Sequence, residues 1–199
     1  MEITALEIVS GDCIKIAIST GLSFFLRTRY LSTFSADRLF VGMTLLEDEY
    51  KDLESAGCIF SAERDAMNYL SRSEQCRNQL TLKLLKKNHT KKDIDIALNY
   101  LESKNYLCDA RYAEAWLRNR QIKKAEGKIK LESELVKKGL NRSIINKALT
   151  NYFNMISEEE LFEKALKKYQ RLGKTNQKLQ RALVRDGFPW KLIKQIKNI

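Results

Sequence analysis

The 199-residue chain is 44% hydrophobic and 31% charged, with 36 Lys+Arg against 25 Asp+Glu and a formal net charge of +11. That apolar share supports a buried core and excludes a wholly disordered chain, while the positive excess points to a polyanion or an acidic protein surface as partner. The excess is uneven: residues 1–60 hold 5 basic and 9 acidic side chains, so residues 61–199 carry 31 against 16.

In chain order, "ITALEIV" (3–9), "CIKIAIS" (13–19) and "LSFFLRT" (22–28) are short, rich in β-branched or aromatic residues and separated by turn signals. They predict a three-strand meander. Residues 31–58 turn helical: "TLLEDEYKDLESAG" sets Leu45, Leu46, Glu49 and Leu53 at helical intervals, with Gly57 as the expected stop. A small β-meander and helix head over 1–58 follows.

Beyond residue 60 only Pro189 interrupts, glycine is sparse and the apolar period is 3.6, so this part should be all helix. It also repeats. "LTLKLLKKNHTKKDIDIAL" (80–98), "LESELVKKGLNRSIINKAL" (131–149) and "LQRALVRDGFPWKLIKQI" (179–196) superimpose with Leu84 on Leu135 and Leu135 on Leu183, offsets of 51 and 48. Each apolar stripe ends in two charged residues and then Asn88, Gly139 or Gly187, residue types that accept the left-handed backbone closing a helix. A new helix then starts at a Thr90–Asp93 capping box, at Asn141, or with Pro189 in a first turn.

A further helix precedes each pair. "SAERDAMNYLSRSEQC" (61–76), "DARYAEAWLRNRQIKKA" (109–125) and "SEEELFEKALKKYQRL" (157–172) all open on Ser or Asp, and Ser157 with Glu160 has capping-box spacing. Three tandem three-helix, helix-turn-helix-like repeats are therefore expected at 59–108, 109–156 and 157–199, each too small to stand without neighbours.

Cys13, Cys58, Cys76 and Cys108 lack paired ligand spacing, and His89 is the only histidine, so buried reduced thiols are expected rather than zinc. No stretch reaches the ~18 apolar residues of a membrane span, and acidic residues interrupt "MEITALEIVSGD" as a signal peptide, so a cytoplasmic protein is expected. No nucleophile beside a base and no carboxylate set outside helix caps argues for catalysis. Trp116 and Trp190 sit at core spacing, His89 at an exposed turn, and Gly127 where a loop is permitted.

The run "NYLESKNYLCDARYAEAWLRNR" (99–120), followed by "GKIKLESELVKKGLNRSIINKAL" (127–149), resembles the RecX family of recombination regulators, whose pattern pairs L…GxLxDxRFAxxxxxxR with GxxRIxxELxxKGIxxxxIxxAL. The resemblance covers 61–196 well and the head loosely. Lys128 stands for the family's usual proline, Lys130 for arginine, Tyr112 for phenylalanine, and Asn88–His89 for Gly-Phe. It implies a non-enzymatic regulator built as a curved row of three-helix repeats; the residues themselves call for no cofactor, and a row of repeats with polar ends needs no partner copy, so a monomer is expected. Such a protein binds the RecA filament on single-stranded DNA, holds double-stranded DNA weakly, and damps ATP hydrolysis and strand exchange in recombination and repair.

The residues themselves suggest where a partner would bind. Arg118, Arg120, Lys123, Lys124, Lys128 and Lys130 cluster around the loop between the first two helices of the middle repeat, with Lys137, Lys138 and Arg142 at its turn. Similar charges recur as Arg72, Arg77, Lys86 and Lys87, then Arg181 and Arg185. Spaced cations on a repeat array could follow a helical polyanion or an acidic groove. The competing reading is a direct DNA-binding regulator, because a helix, tight turn and helix can present a recognition helix to the major groove. The last helices "KKDIDIALNYL" and "RSIINKALTNY" are read as carrying too few base-reading side chains for that role.

Overall fold

The computed structural model describes residues 1–196, apart from the side chain of Lys123. The chain forms two compact units, one of Met1–Ser73 with Leu80–Leu107, the other of Glu74–Gln79 with the residues from Cys108 onward.

The first unit opens with strands β1 (Ile3–Ser10), β2 (Cys13–Ile18) and β3 (Ser23–Arg27), an antiparallel sheet in the order β1-β2-β3. Alternation buries Ile14, Ile16 and Ile18 of β2 together with Ile3 and Leu26, as the meander requires. Helix α1 (Glu47–Leu70) packs on β3; α2 (Arg77–Leu85) follows, belonging to this unit only from Leu80 onward, and then α3 (Lys91–Ser103). Arg27 of β3 fixes the sheet to α1 by hydrogen bonds to Glu63 at 2.6–2.9 Å and to Asp12 at 2.6 Å, while the Tyr30 hydroxyl donates to Glu63 at 2.7 Å.

Two expectations fail here. Gly57 does not stop a helix, and no helix begins at Ser61: α1 is a single 24-residue helix that ends at Leu70 and runs across the boundary expected at 58. A glycine inside a helix costs only about 1 kcal/mol, which the packing of Leu53, Ala56, Ile59 and Ala62 outweighs. Gly57 faces the Phe24 ring, where a β-carbon would lie 3.2 Å from Cδ1.

The second unit contains α4 (Asp109–Lys123), α5 (Lys128–Lys137), α6 (Arg142–Met155), α7 (Glu158–Arg171), α8 (Asn176–Arg185) and α9 (Trp190–Ile193). The predicted caps form: Thr90 accepts from the Asp93 N–H at 3.2 Å, Asn141 from Ser143 at 2.9 Å and Ser157 from Glu160 at 3.0 Å. Pro189 is the residue before α9 rather than part of its first turn. Asn88, Gly139 and Gly187 take φ of 65°, 80° and 82°, the left-handed closures expected of them. The fold is thus mainly α, with helices in successive threes after a small sheet. The hydrophobic seams of α4–α6 and α7–α9 do not stay separate, because Leu131, Leu135, Ile145, Phe162, Leu183 and Phe188 belong to one continuous core.

Some single residues also depart from expectation. Cys13 and Cys76 are buried, but Cys58 is exposed and Cys108 half-buried; all four are free thiols. Trp116 packs on the core edge, whereas Trp190 is 49% exposed. His89 is not an open turn residue: its Nε2 lies 2.9 Å from Asp65 Oδ2.

Candidate partner and polyanion interface

The basic residues singled out by sequence fall into two kinds, and a joint within the second unit divides them. Gly127, which precedes α5, lies against the turn between α8 and α9. Its N–H donates to the Asp186 carbonyl at 2.8 Å, and the Ile129 N–H to the Gly187 carbonyl at 3.3 Å. A β-carbon on Gly127 would lie 2.3 Å from the Gly187 oxygen, and one on Gly187 would lie 2.3 Å from the Lys130 nitrogen. Gly127 is therefore present for close backbone approach rather than for loop freedom, since its φ of −79° suits any residue.

Charge seals this joint. Glu126, with only 2% of its side chain exposed, accepts from Arg120 and lies 2.9 Å from Lys130 Nζ; that ammonium also reaches Asp186 at 2.9 Å. The Tyr169 hydroxyl donates to Asp186 at 2.6 Å. Burial pushes the Glu126 carboxyl up, but the bonds from Arg120 and Lys130 outweigh it and hold the group below its ordinary range. Burial likewise opposes the charge on Lys130, and its two carboxylate partners overcome that and raise it.

The same arrangement occurs once more. Asn78 Nδ2 donates to the Lys138 carbonyl at 3.1 Å, and Cys76 Sγ lies 3.5 Å from that oxygen. A β-carbon on Gly139 would lie 2.5 Å from Asn78 Nδ2. In each case the start of a repeat's second helix seats on the glycine turn of the following repeat.

Arg120 and Lys130 are thus held in an internal network. Lys137 pairs with Glu134 at 3.0 Å, and Lys138 stands over the Tyr112 and Trp116 rings at 5.9 and 5.7 Å, with Arg120 over Trp116 at 5.2 Å. Arg118 borders an apolar groove of about 260 Å³ with Glu114, Leu117, Tyr152 and Met155. Lys124, Lys128 and Arg142 are exposed, as are Arg72, Lys86 and Lys87, with Lys87 paired to Asp65 at 2.8 Å. The Arg77 backbone N–H donates to Asp109 Oδ1 at 2.8 Å. The Lys123 side chain lies outside the described residues.

Arg181 and Arg185 share an open groove of about 370 Å³ with Lys174, Lys178 and Ala182. The sequence reading overlooked Lys174 and Lys178, although the 48-residue offset that sets Leu131 on Leu179 also sets Glu126 on Lys174 and Lys130 on Lys178. The signal was there in the repeat. Among the described residues no group of three or more His, Cys, Asp and Glu side chains could hold a metal ion, and no helix is long and apolar enough to cross a membrane.

The fold and surface define a helical-repeat protein whose charged positions alternate between internal joints and open faces. Comparison with known proteins makes that specific. A family model described as the second three-helix domain of RecX matches residues 109–149. Regulatory protein RecX of Treponema pallidum is 32% identical over 155 residues, covering 78% of this chain and 94% of that protein. Regulatory protein RecX of Clostridium acetobutylicum is 26% identical over 194 residues, covering 93% and 88%. A crystal structure of regulatory protein RecX superimposes with a TM-score of 0.77 at 21% identity over 98% of both chains, and that of RecX from Lactobacillus salivarius with 0.60 at 24% identity over 69% and 92%. The chain belongs to the RecX family of regulatory proteins.

Proposed function

We propose that this chain is a regulator of the RecA recombinase that binds the RecA filament on single-stranded DNA and damps its ATP hydrolysis and strand exchange. Family membership carries the reading, since the relatives that span this chain are regulatory proteins named RecX. Repeats at 59–108, 109–156 and 157–199 act as successive contact modules, with no cofactor and no chemistry of their own. Cations of the second unit supply the face: exposed Arg118, Lys124, Lys128, Lys137 and Arg142 in the middle repeat and Arg181 and Arg185 in the last, with half-exposed Arg77 and Lys138; exposed Arg72 adds a cation on the first unit. The protein acts as a monomer in the cytoplasm, in keeping with its free thiols.

The test is RecA-catalysed ATP hydrolysis on single-stranded DNA with rising amounts of this protein. A fall in rate by equimolar addition is expected, and an unchanged rate overturns the proposal.

One observation favours direct DNA reading as the second interpretation. The exposed side of α6 carries Arg142, Asn146, Asn151 and Asn154, more of the residue types that bond base edges than the sequence pattern suggested. Selection from random duplexes decides it, because a base reader enriches one motif and a filament regulator enriches none.

A further inference from the structure

The repeat comparison exposes an asymmetry at the end of the array. The set Glu126, Lys130, Ser133 and Lys137 on the middle repeat corresponds, 48 residues on, to Lys174, Lys178, Arg181 and Arg185 on the last. In the middle repeat the first two positions meet Arg120 and the next repeat's Asp186. In the last repeat the carboxylate has become a lysine, and all four positions are cationic. Among the described residues none of the four joins an ion pair; the Lys174 ammonium rests 4.3 Å from the Tyr169 ring centroid, which orients it without neutralising it.

Lys178, Arg181 and Arg185 follow one another at helical i, i+3 and i+7 spacing and therefore share one side of α8, a stripe of about 10 Å at about 1.5 Å rise per residue. With Lys174 at its head and Ala182 on its floor, the stripe lines the groove of about 370 Å³. Four like charges facing one open channel repel one another, and the contacts that Arg185 makes with the Tyr169 hydroxyl and Lys174 with its ring bring no carboxylate to neutralise them. A string of anions relieves that repulsion, and a row of cations on a helix side fits regularly spaced phosphates rather than a single carboxylate.

We propose that the α8 groove is a sequence-independent phosphodiester site that holds single-stranded DNA where, in the other repeats, the following repeat's turn would dock. This deepens the proposed function and rests on it for the identity of the strand. The site takes the backbone at about two to four phosphates without base selection, since its lining residues Lys174, Lys178, Arg181, Ala182 and Arg185 include no aromatic ring to stack a base and no amide to pair with one.

The full chain without RecA is titrated against a fluorescent oligothymidine by anisotropy over a range of salt. A variant with Lys174→Gln, Lys178→Gln, Arg181→Gln and Arg185→Gln is compared with one carrying Lys124→Gln and Lys128→Gln. Thermal melting of both checks that the folds are intact. The expected result is that the α8 variant binds about tenfold or more weakly at low salt and loses about 2 to 3 from the log–log salt slope, the other variant losing less. Binding equal to the parent chain, a loss of affinity with an unchanged slope, or no DNA binding by the parent overturns the proposal. If the α8 variant keeps oligothymidine binding but loses RecA inhibition, the stripe contacts an acidic protein face and the proposal falls. Because RecA is absent from the titration, failure of the regulatory reading is scored separately in the ATPase assay.

Discussion

The joint at α5 and the groove at α8 are the same place in successive repeats, put to opposite uses. At the joint a buried carboxylate gathers Arg120 and Lys130, and Asp186 from the following turn completes the set. At the groove Lys174 replaces that carboxylate, and the cations face an open channel. In a repeat protein, then, the role of a basic residue is decided by what the neighbouring repeat brings. Position within the motif does not decide it. Cations counted along the sequence overstate the binding face wherever a downstream turn is docked.

The sharpest way to break this contrast is to open the joint sterically. In Gly187→Ala a methyl group would meet the Lys130 backbone nitrogen at 2.3 Å, at a φ of 82° that alanine resists. Strain and overpacking together should remove about 3–5 kcal/mol. A urea titration followed by circular dichroism would show the lower midpoint. The corresponding insult at Gly173, also left-handed but with nothing within 4 Å of a β-carbon, should cost only about 1–2 kcal/mol. Equal losses at the two glycines would mean that the backbone approach is not what holds the repeats together.

The next test removes charge without changing shape. Glu126→Gln leaves Arg120 and Lys130 facing an amide, and because the carboxylate is almost fully buried while both cations retain some water, a loss of about 2–3 kcal/mol is expected. The carboxyl is held below its usual value of 4.5 in the folded chain, so its contribution is complete above that pH and is lost as pH falls through the depressed folded value. The stability gap between parent and Glu126→Gln should therefore be widest near neutrality and shrink in acid, measured by urea midpoints at stepped pH. A gap independent of pH would place the effect in packing.

Much of the fold was readable along the chain. Two β-branched runs and one aromatic run made the sheet, the offsets of 51 and 48 located the repeats, and Gly139 and Gly187 were recognisable as helix closers from the charged pair before each. Gly57 misled because glycine weakens a helix by about 1 kcal/mol and tertiary packing of α1 readily outweighs that. Gly127 was opaque for a different reason. Its φ is ordinary, and its need to be glycine comes from a carbonyl sixty residues away. The candidate site shows the same limit. Lys130 and Lys178 are interchangeable in the aligned pattern, and only the fold shows that Asp186, fifty-six residues from Lys130, claims one of them.

That pair provides the smallest and most discriminating comparison. Lys130→Met breaks the link to Glu126 and Asp186, although Arg120 still serves the first and Tyr169 the second, so a loss of about 1–2 kcal/mol is expected. Lys178→Met, on an exposed groove wall, should change stability by less than about 0.5 kcal/mol. Binding to oligothymidine should invert the ranking: Lys178→Met lowers the salt slope by about 1, and Lys130→Met leaves it nearly unchanged. A lysine inside an ion network has no counterions to release from a phosphate, whereas one on an open wall does. If both substitutions moved stability and salt slope together, the two positions would be equivalent and the division between sealed joint and open groove would be lost.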